Sequence, residues 1–185
     1  MTDTGVDRRQ EALQTAFGLF LRFGYRKTSM DEIAHAVGLS RQGLYLWFPS
    51  KQALFSEMVD HMMTRSAHAI EAALQAPGAS AVERIVDAFD AYMGGVMIPD
   101  RDPAALDELL QGSIRILGDR AAAFDARFRS LLVGVLTPYS DAALSAEDLA
   151  QVIYLAAAGA KHQVDSREAY LDVVRTAAAV ACRQR

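Results

Sequence analysis

Within its 185 residues the chain holds one cysteine (Cys182), one tryptophan (Trp47) and only four histidines. A single thiol excludes an intrachain disulfide and any zinc site built from cysteines. His61 and His68 stand seven apart, wider than the adjacent-turn spacing by which one helix offers a metal two ligands, so no metal site is expected. Neither Gly-x-Ser-x-Gly nor His-Glu-x-x-His occurs, and scattered histidines make no constellation; an enzyme is not expected, nor a cofactor. No apolar run approaches the roughly 20 residues that cross a bilayer. The opening stretch, with Thr2, Asp3, Thr4 and Asp7, is polar and lacks a signal-peptide pattern, which points to a cytoplasmic protein without a membrane partner. Residues 1–6 show no apolar periodicity and are expected to be disordered. No segment alternates like a strand, and no repeat is evident. The fold class expected is all-α.

Net charge is −4, which sits poorly with a nucleic-acid partner until it is divided along the chain. Residues 1–51 carry seven Lys/Arg against five Asp/Glu, a net +2; residues 52–185 carry 12 against 18, a net −6. The basic excess falls at the N-terminal end, and an acidic remainder discourages indiscriminate phosphate binding.

That end holds the most informative stretch, Thr28 to Leu54. Ser29 with Glu32 three residues on is a capping box, and Ile33, Ala34 and Val37 follow at helical spacing. Gly38 suits the left-handed position that ends a helix, and Ser40 can cap a second helix two residues later. Leu44 and Phe48 supply the second helix's inward side before Pro49-Ser50 stops it. Two helices of about two turns joined through a glycine form the layout of a DNA-binding helix-turn-helix. The second helix leaves Arg41, Gln42, Gly43, Tyr45, Leu46 and Trp47 for its outer sides. Arg and Gln read guanine and adenine edges in the major groove. Tyr45, Lys51 and the hydroxyls of Thr28, Ser29 and Ser40 are candidate phosphate contacts. Gly43 in a first turn suggests close approach by something large. A preceding helix, Asp7 to Phe23, presents Leu13, Ala16, Phe17, Phe20 and Phe23 on one face; Arg8, Arg9, Arg26 and Lys27 around it are further candidates for the DNA backbone.

The run S-M-D-E-I-A-x-x-V-G-L-S-R-Q-G-L-Y-L-W-F-P-S-K-Q-A-L-F resembles the N-terminal signature of the tetracycline-repressor (TetR) family of bacterial transcription regulators. The likeness covers about residues 9 to 60, with Ile33, Ala34, Gly38, Leu44, Tyr45, Phe48, Lys51 and Leu54 in register. It implies an all-helical homodimer that binds a pseudo-palindromic operator and releases it to a small-molecule effector. It also implies that Tyr45 and Lys51 hold phosphates while Arg41, Gln42 and Gly43 face bases. Leu46 departs from the polar residue many relatives place there, though a leucine can touch a thymine methyl.

The boundary expected lies between a DNA-binding domain at 1–51 and a helical ligand-binding and dimerisation domain at 52–185. Punctuation divides the latter into six helices: Ser50 to about Gln75, Ser80 to Val96, Asp102 to Gly118, Asp119 to Thr137, Ser145 to Gln163 and Ser166 to Arg183. Met and aromatic side chains in the middle helices suit an adaptable apolar pocket for a hydrophobic ligand. The candidates are His61, Met62, His68, Phe89, Tyr92, Met93, Met97, Arg115, Phe124 and Phe128, although any one of them reads equally as plain core. The last two helices are rich in small residues and apolar on several faces. Leu149, Val152, Ile153, Ala156, Ala160, Val173, Val174, Ala177 and Val180 are the candidates for the family's dimer interface, a four-helix bundle. The competing reading is an architectural or partner-binding helical DNA-binding protein without a ligand, which a solid middle domain would favour.

Overall fold

The computed structural model describes residues 4–96 and 102–183. Among them the chain is helical and without strands: α1 (Thr4–Phe23), α2 (Met30–Ala36), α3 (Arg41–Trp47), α4 (Lys51–Leu74), α5 (Ala81–Met93), α6 (Pro103–Leu117), α7 (Asp119–Leu136), α8 (Ala146–Gln163) and α9 (Arg167–Ala181), with short 3-10 turns after α5 and α7. The helix starts follow their caps. Ser29 and Ser145 close capping boxes with Glu32 and Asp148, and Ser80 exchanges the same bonds with Glu83. Asp102 accepts from the Ala104 amide at 2.9 Å just ahead of Pro103. The expected disorder of residues 1–6 is corrected for Thr4, Gly5 and Val6, which already belong to α1.

Packing divides the chain into two units, Met1–Met63 with Asp100–Gly118, and Thr64–Pro99 with Asp119–Arg185. The core of the first is built from Leu13, Ala16, Phe20 and Leu21 of α1, Ile33 of α2, Leu44 of α3, Phe48, and Leu54, Phe55 and Met58 of α4, all buried. Full burial of side chains this size stabilises by roughly 1.5–3 kcal/mol each. Phe23 does not continue that face, as periodicity predicted; it is exposed at the end of α1. Helix α6 packs along α1 in this unit: the Asp102 amide donates to the Leu21 carbonyl at 3.3 Å, and Gly112 lets α6 lie against the Phe55 ring.

The second unit is a bundle of α5, α7, α8 and α9 with the last turns of α4. Ile85, Phe89, Leu132, Ile153, Tyr170 and Val174 fill its centre. Ser66 of α4 donates to the Ala91 carbonyl of α5 at 2.6 Å, and Arg127 of α7 reaches Glu71 at 2.6 Å.

Two glycines differ instructively. Gly24 (φ +86°) and Gly38 (φ +67°) both end helices in the left-handed region, but a Cβ on Gly24 would meet a Glu108 carboxylate oxygen at 3.0 Å, whereas Gly38 faces open space. Gly38→Ala should therefore cost about 1–2 kcal/mol, the left-handed penalty alone. Gly24→Ala should cost more, and urea unfolding of the two variants checks the order.

Candidate nucleic-acid interface

The turn between α2 and α3 is set by backbone bonds. The Gly38 amide donates to His35 at 3.1 Å and the Leu39 amide to Ala34 at 2.8 Å, the paired closure of a Schellman motif. Ser40 then receives the Gly43 amide on its hydroxyl at 3.0 Å and starts α3. This supplies a local reason for Gly43. A Cβ there would stand 3.2 Å from Ser40 Oγ and 4.0 Å from Leu39 Cβ, so the cap itself asks for a small residue.

Leu44 turns into the core, and Arg41, Gln42, Tyr45 and Leu46 are left outside; Leu46 is 80% exposed. Arg41 pairs with Asp31 at 2.8 Å and lies over the Tyr45 ring at 5.5 Å. An exposed pair of this kind holds by about 1 kcal/mol at most, so the guanidinium can leave it for a base edge at little cost. Trp47 is half-buried. Its carbonyl accepts from Arg9, which also pairs with Glu57 at 2.8 Å and lies over the Phe48 ring at 4.8 Å. Arg9 thus joins α1 to the end of α3 and to α4, a role that no local pattern signals, while Arg8 and Lys27 are exposed.

Several expected phosphate contacts need correction. Thr28 is 2% exposed and its hydroxyl donates to the Gly24 carbonyl at 2.9 Å, so it cannot reach a phosphate as placed. Ser29 spends its hydroxyl on Glu32, and the bonds from Ser29 hold the Glu32 carboxyl below the usual carboxylate range. Lys51 points inward: its Nζ donates to the carbonyls of Tyr25 at 2.7 Å and Thr28 at 2.9 Å and lies over the Tyr25 ring at 4.4 Å. Two of its three donors are thereby committed to the segment joining α1 to α2.

A family profile, "Bacterial regulatory proteins, tetR family", matches residues 12–58, the stretch that holds α2, α3 and the start of α4. Over this stretch the chain is similar to the TetR family. Among curated relatives it is 29% identical over 89 residues to the HTH-type transcriptional regulator EthR of Mycolicibacterium smegmatis, covering 46% of this chain and 41% of EthR. It is 34% identical over 83 residues to the HTH-type transcriptional repressor ComR of Escherichia coli, covering 45% and 40%. These matches span less than half the length of the curated relatives. The fold extends further. A TetR transcriptional regulator from Legionella pneumophila superposes with a TM-score of 0.70 at 21% identity, covering 99% of both chains. The TetR-family regulator PfmR of Thermus thermophilus gives 0.64 at 20%, covering 94% and 99%.

Beyond this TetR-type domain, the candidate ligand residues separate. His61, Met62 and Arg115 lie in the first unit; His68, Phe89, Tyr92, Met93, Phe124 and Phe128 lie in the second; Met97 falls outside the described residues. Of the second set His68 is exposed. Among the described residues the aromatics pack on one another, with Phe89–Phe128 and Tyr92–Phe128 centroids at 4.9 Å and Tyr92 stacked on Phe124 at 5.8 Å. The spaces beside them measure about 20 Å³ and 10 Å³, room for a water at most. Tyr92 donates to Asp125 at 2.7 Å and meets the Tyr154 hydroxyl at 3.1 Å; burial pushes its phenol far up, so it is a neutral donor.

The dimer candidates divide as well. Leu149, Ile153, Ala160 and Val174 are buried within their own unit, so the expectation that they meet a partner is corrected: they are core. Ala156, Val173 and Ala177 are half-buried. Val152 and Val180 are 60% and 59% exposed, and Leu155, one turn from Val152 and outside the expected set, is 57% exposed.

Lys51→Met removes two charge-assisted bonds to carbonyls and should lower unfolding stability by about 2 kcal/mol. Arg41→Ala breaks only a surface pair and should change stability by less than about 1 kcal/mol. Thermal unfolding of the two proteins checks this; equal melting temperatures would show that the Lys51 contacts contribute nothing.

Proposed function

We propose that the chain is a homodimeric transcriptional repressor that binds a pseudo-palindromic operator and is released from it by a small molecule. The observation that carries the DNA part is α3 itself: Arg41, Gln42, Tyr45 and Leu46 are exposed together on a helix whose other side is fixed in the core by Leu44 and by the Ser40 cap. Arg41 and Gln42 supply the donors and acceptors that discriminate base pairs, and an exposed Leu46 offers an apolar contact to a thymine methyl. The family match over this segment and the repressor name of one relative support the same reading.

The exposed apolar residues of α8 and α9 support the dimer. Val152, Leu155 and Val180 stand in water next to small residues on helices of one bundle, and a second copy of the same surface would cover them. Two copies place two α3 helices on half-sites one DNA turn apart. Release by a ligand then requires only that the ligand favour one of two arrangements of the dimer. The packed aromatic cluster of the second unit supports the competing reading, a DNA-binding protein that needs no effector.

Selection of bound duplexes from a random library tests the proposal, repeated with a metabolite and drug panel. Recovery of a palindrome is expected, and Gln42→Ala should then relax specificity at one base pair by about 1–3 kcal/mol. Leu155→Asp should yield monomers on sedimentation and weaken operator binding without unfolding the chain. A dimer that persists in Leu155→Asp would place the interface elsewhere, and the absence of any enriched sequence would sink the regulator.

A further inference from the structure

The first unit carries a second surface feature that DNA reading does not use. An open groove of about 460 Å³ lies between the segment joining α1 to α2, the start of α4, and α6, within the ~300–1,000 Å³ typical of small-molecule sites. Its apolar wall is the Tyr25 and Phe55 rings, 4.9 Å apart at 60°. Gly112 brings α6 directly against the Phe55 ring, where a Cβ would stand 3.1 Å away, so Phe55 is largely covered and forms the floor while Tyr25 offers the more open face. Three charged side chains line it: Arg26, Glu108 and Arg115. Arg26 and Glu108 pair with one another at 3.0 Å, and Nη2 of Arg115 lies 3.9 Å from where a Gly112 Cβ would be. Arg115 is left as a guanidinium at an aromatic wall, and the lining carries one net positive charge.

We infer that this groove binds a planar aromatic carboxylate, its ring against Tyr25 and Phe55 and its carboxylate on the Arg115 fork. The chemistry selects that class. An edge or offset ring contact favours a flat aromatic body, and a planar guanidinium matches a carboxylate through two parallel bonds. A cationic ligand would meet the charge of Arg115, and a neutral one would leave the guanidinium without its counter-charge. A neighbouring groove shares Arg26, Glu108 and Arg115 with this one and adds Lys27, Asp102 and Asp107, so its lining sets three cations against three carboxylates and carries no excess; nor does it have the Tyr25 and Phe55 wall.

The position of the groove gives the binding a consequence within the same unit. Tyr25 is the residue whose carbonyl and ring hold the Lys51 ammonium, and Thr28, the other carbonyl that Lys51 grips, directly precedes the Ser29 cap of α2. A ligand pressed on the Tyr25 ring acts on the contact that fixes the start of the helix-turn-helix. Only this effect on DNA rests on the regulator reading; the binding itself does not.

Calorimetric titration of the full chain without DNA tests the site, using naphthoate as probe and naphthamide as its neutral counterpart. Naphthoate should bind and naphthamide should bind at least about tenfold more weakly, the loss of a charge-assisted pair. Arg115→Gln, at an exposed position, should lose naphthoate binding to the same degree, and Arg115→Lys should retain part of it. Gln52→Trp, which fills the groove from an exposed position on α4, should abolish it. Equal binding of acid and amide, unchanged binding in Arg115→Gln, or no binding of naphthoate at millimolar concentration would each overturn the inference. Operator selection without ligand stands or falls separately.

Discussion

The helix-turn-helix unit depends on one part-buried contact, the Lys51 ammonium against the carbonyls of Tyr25 and Thr28. Lys51 is the first residue of α4, so the bond fastens the start of that helix to the segment that leads into α2. Without it the orientation of the two short helices would rest on the buried Met30, Ile33, Ala34, Leu44 and Phe48 and on the Arg9 bond to Trp47, because helices of seven residues contribute little stability of their own. The Tyr25 ring under the ammonium completes the arrangement. It belongs to a triad with Phe20 and Phe55 that ties α1, the connecting segment and α4 together. Burial, and then the nearby Glu108 carboxylate, push the Tyr25 phenol above its ordinary value, so this ring stays neutral beside the lysine.

This contact also marks the limit of what could be read from the sequence. Helix starts were legible because a cap is local: Ser29 and Glu32, or Asp102 and Pro103, carry both partners within three residues. Gly24 and Gly38 were legible as helix ends for the same reason. The acceptors of Lys51 are backbone carbonyls more than twenty residues away, and a carbonyl has no residue type to announce it. A lysine at the head of a helix in a basic segment therefore reads as a phosphate ligand, and only packing shows that most of its donors are spent. Thr28 misled in the same way, its hydroxyl being a phosphate donor on paper and a bond to Gly24 in the fold.

Periodicity identified apolar faces but not what covers them. Phe89, Tyr92, Phe124 and Phe128 suit a ligand pocket by residue type, yet four aromatic rings at helical spacing fit a closed core equally well, and they close on one another. In α8, Val152 and Ile153 are adjacent in sequence and opposite in fate, one in water and one at the bundle centre. A hydrophobic stripe wider than one neighbour can cover signals two partners, and the division between inner and outer partner is decided by a turn of about 100° per residue, finer than a list of apolar positions records.

The exposed apolar side chains are then the residues that need an external reason. Isolated ones are ordinary on protein surfaces, but Leu46, Val152, Leu155 and Val180 are not scattered. Leu46 stands beside the exposed Arg41, Gln42 and Tyr45 on α3, and the other three stand on two helices of one bundle. Under the proposed function each site would remove apolar surface from water only when its partner arrives, DNA in the first case and a second copy in the other. If both associations draw on such burial, a substitution to a charged residue at either place should leave the isolated chain's stability almost untouched. That separates them from Ile153 or Leu44, where the same change would bury an unpaired charge in a close-packed core and unfold the unit.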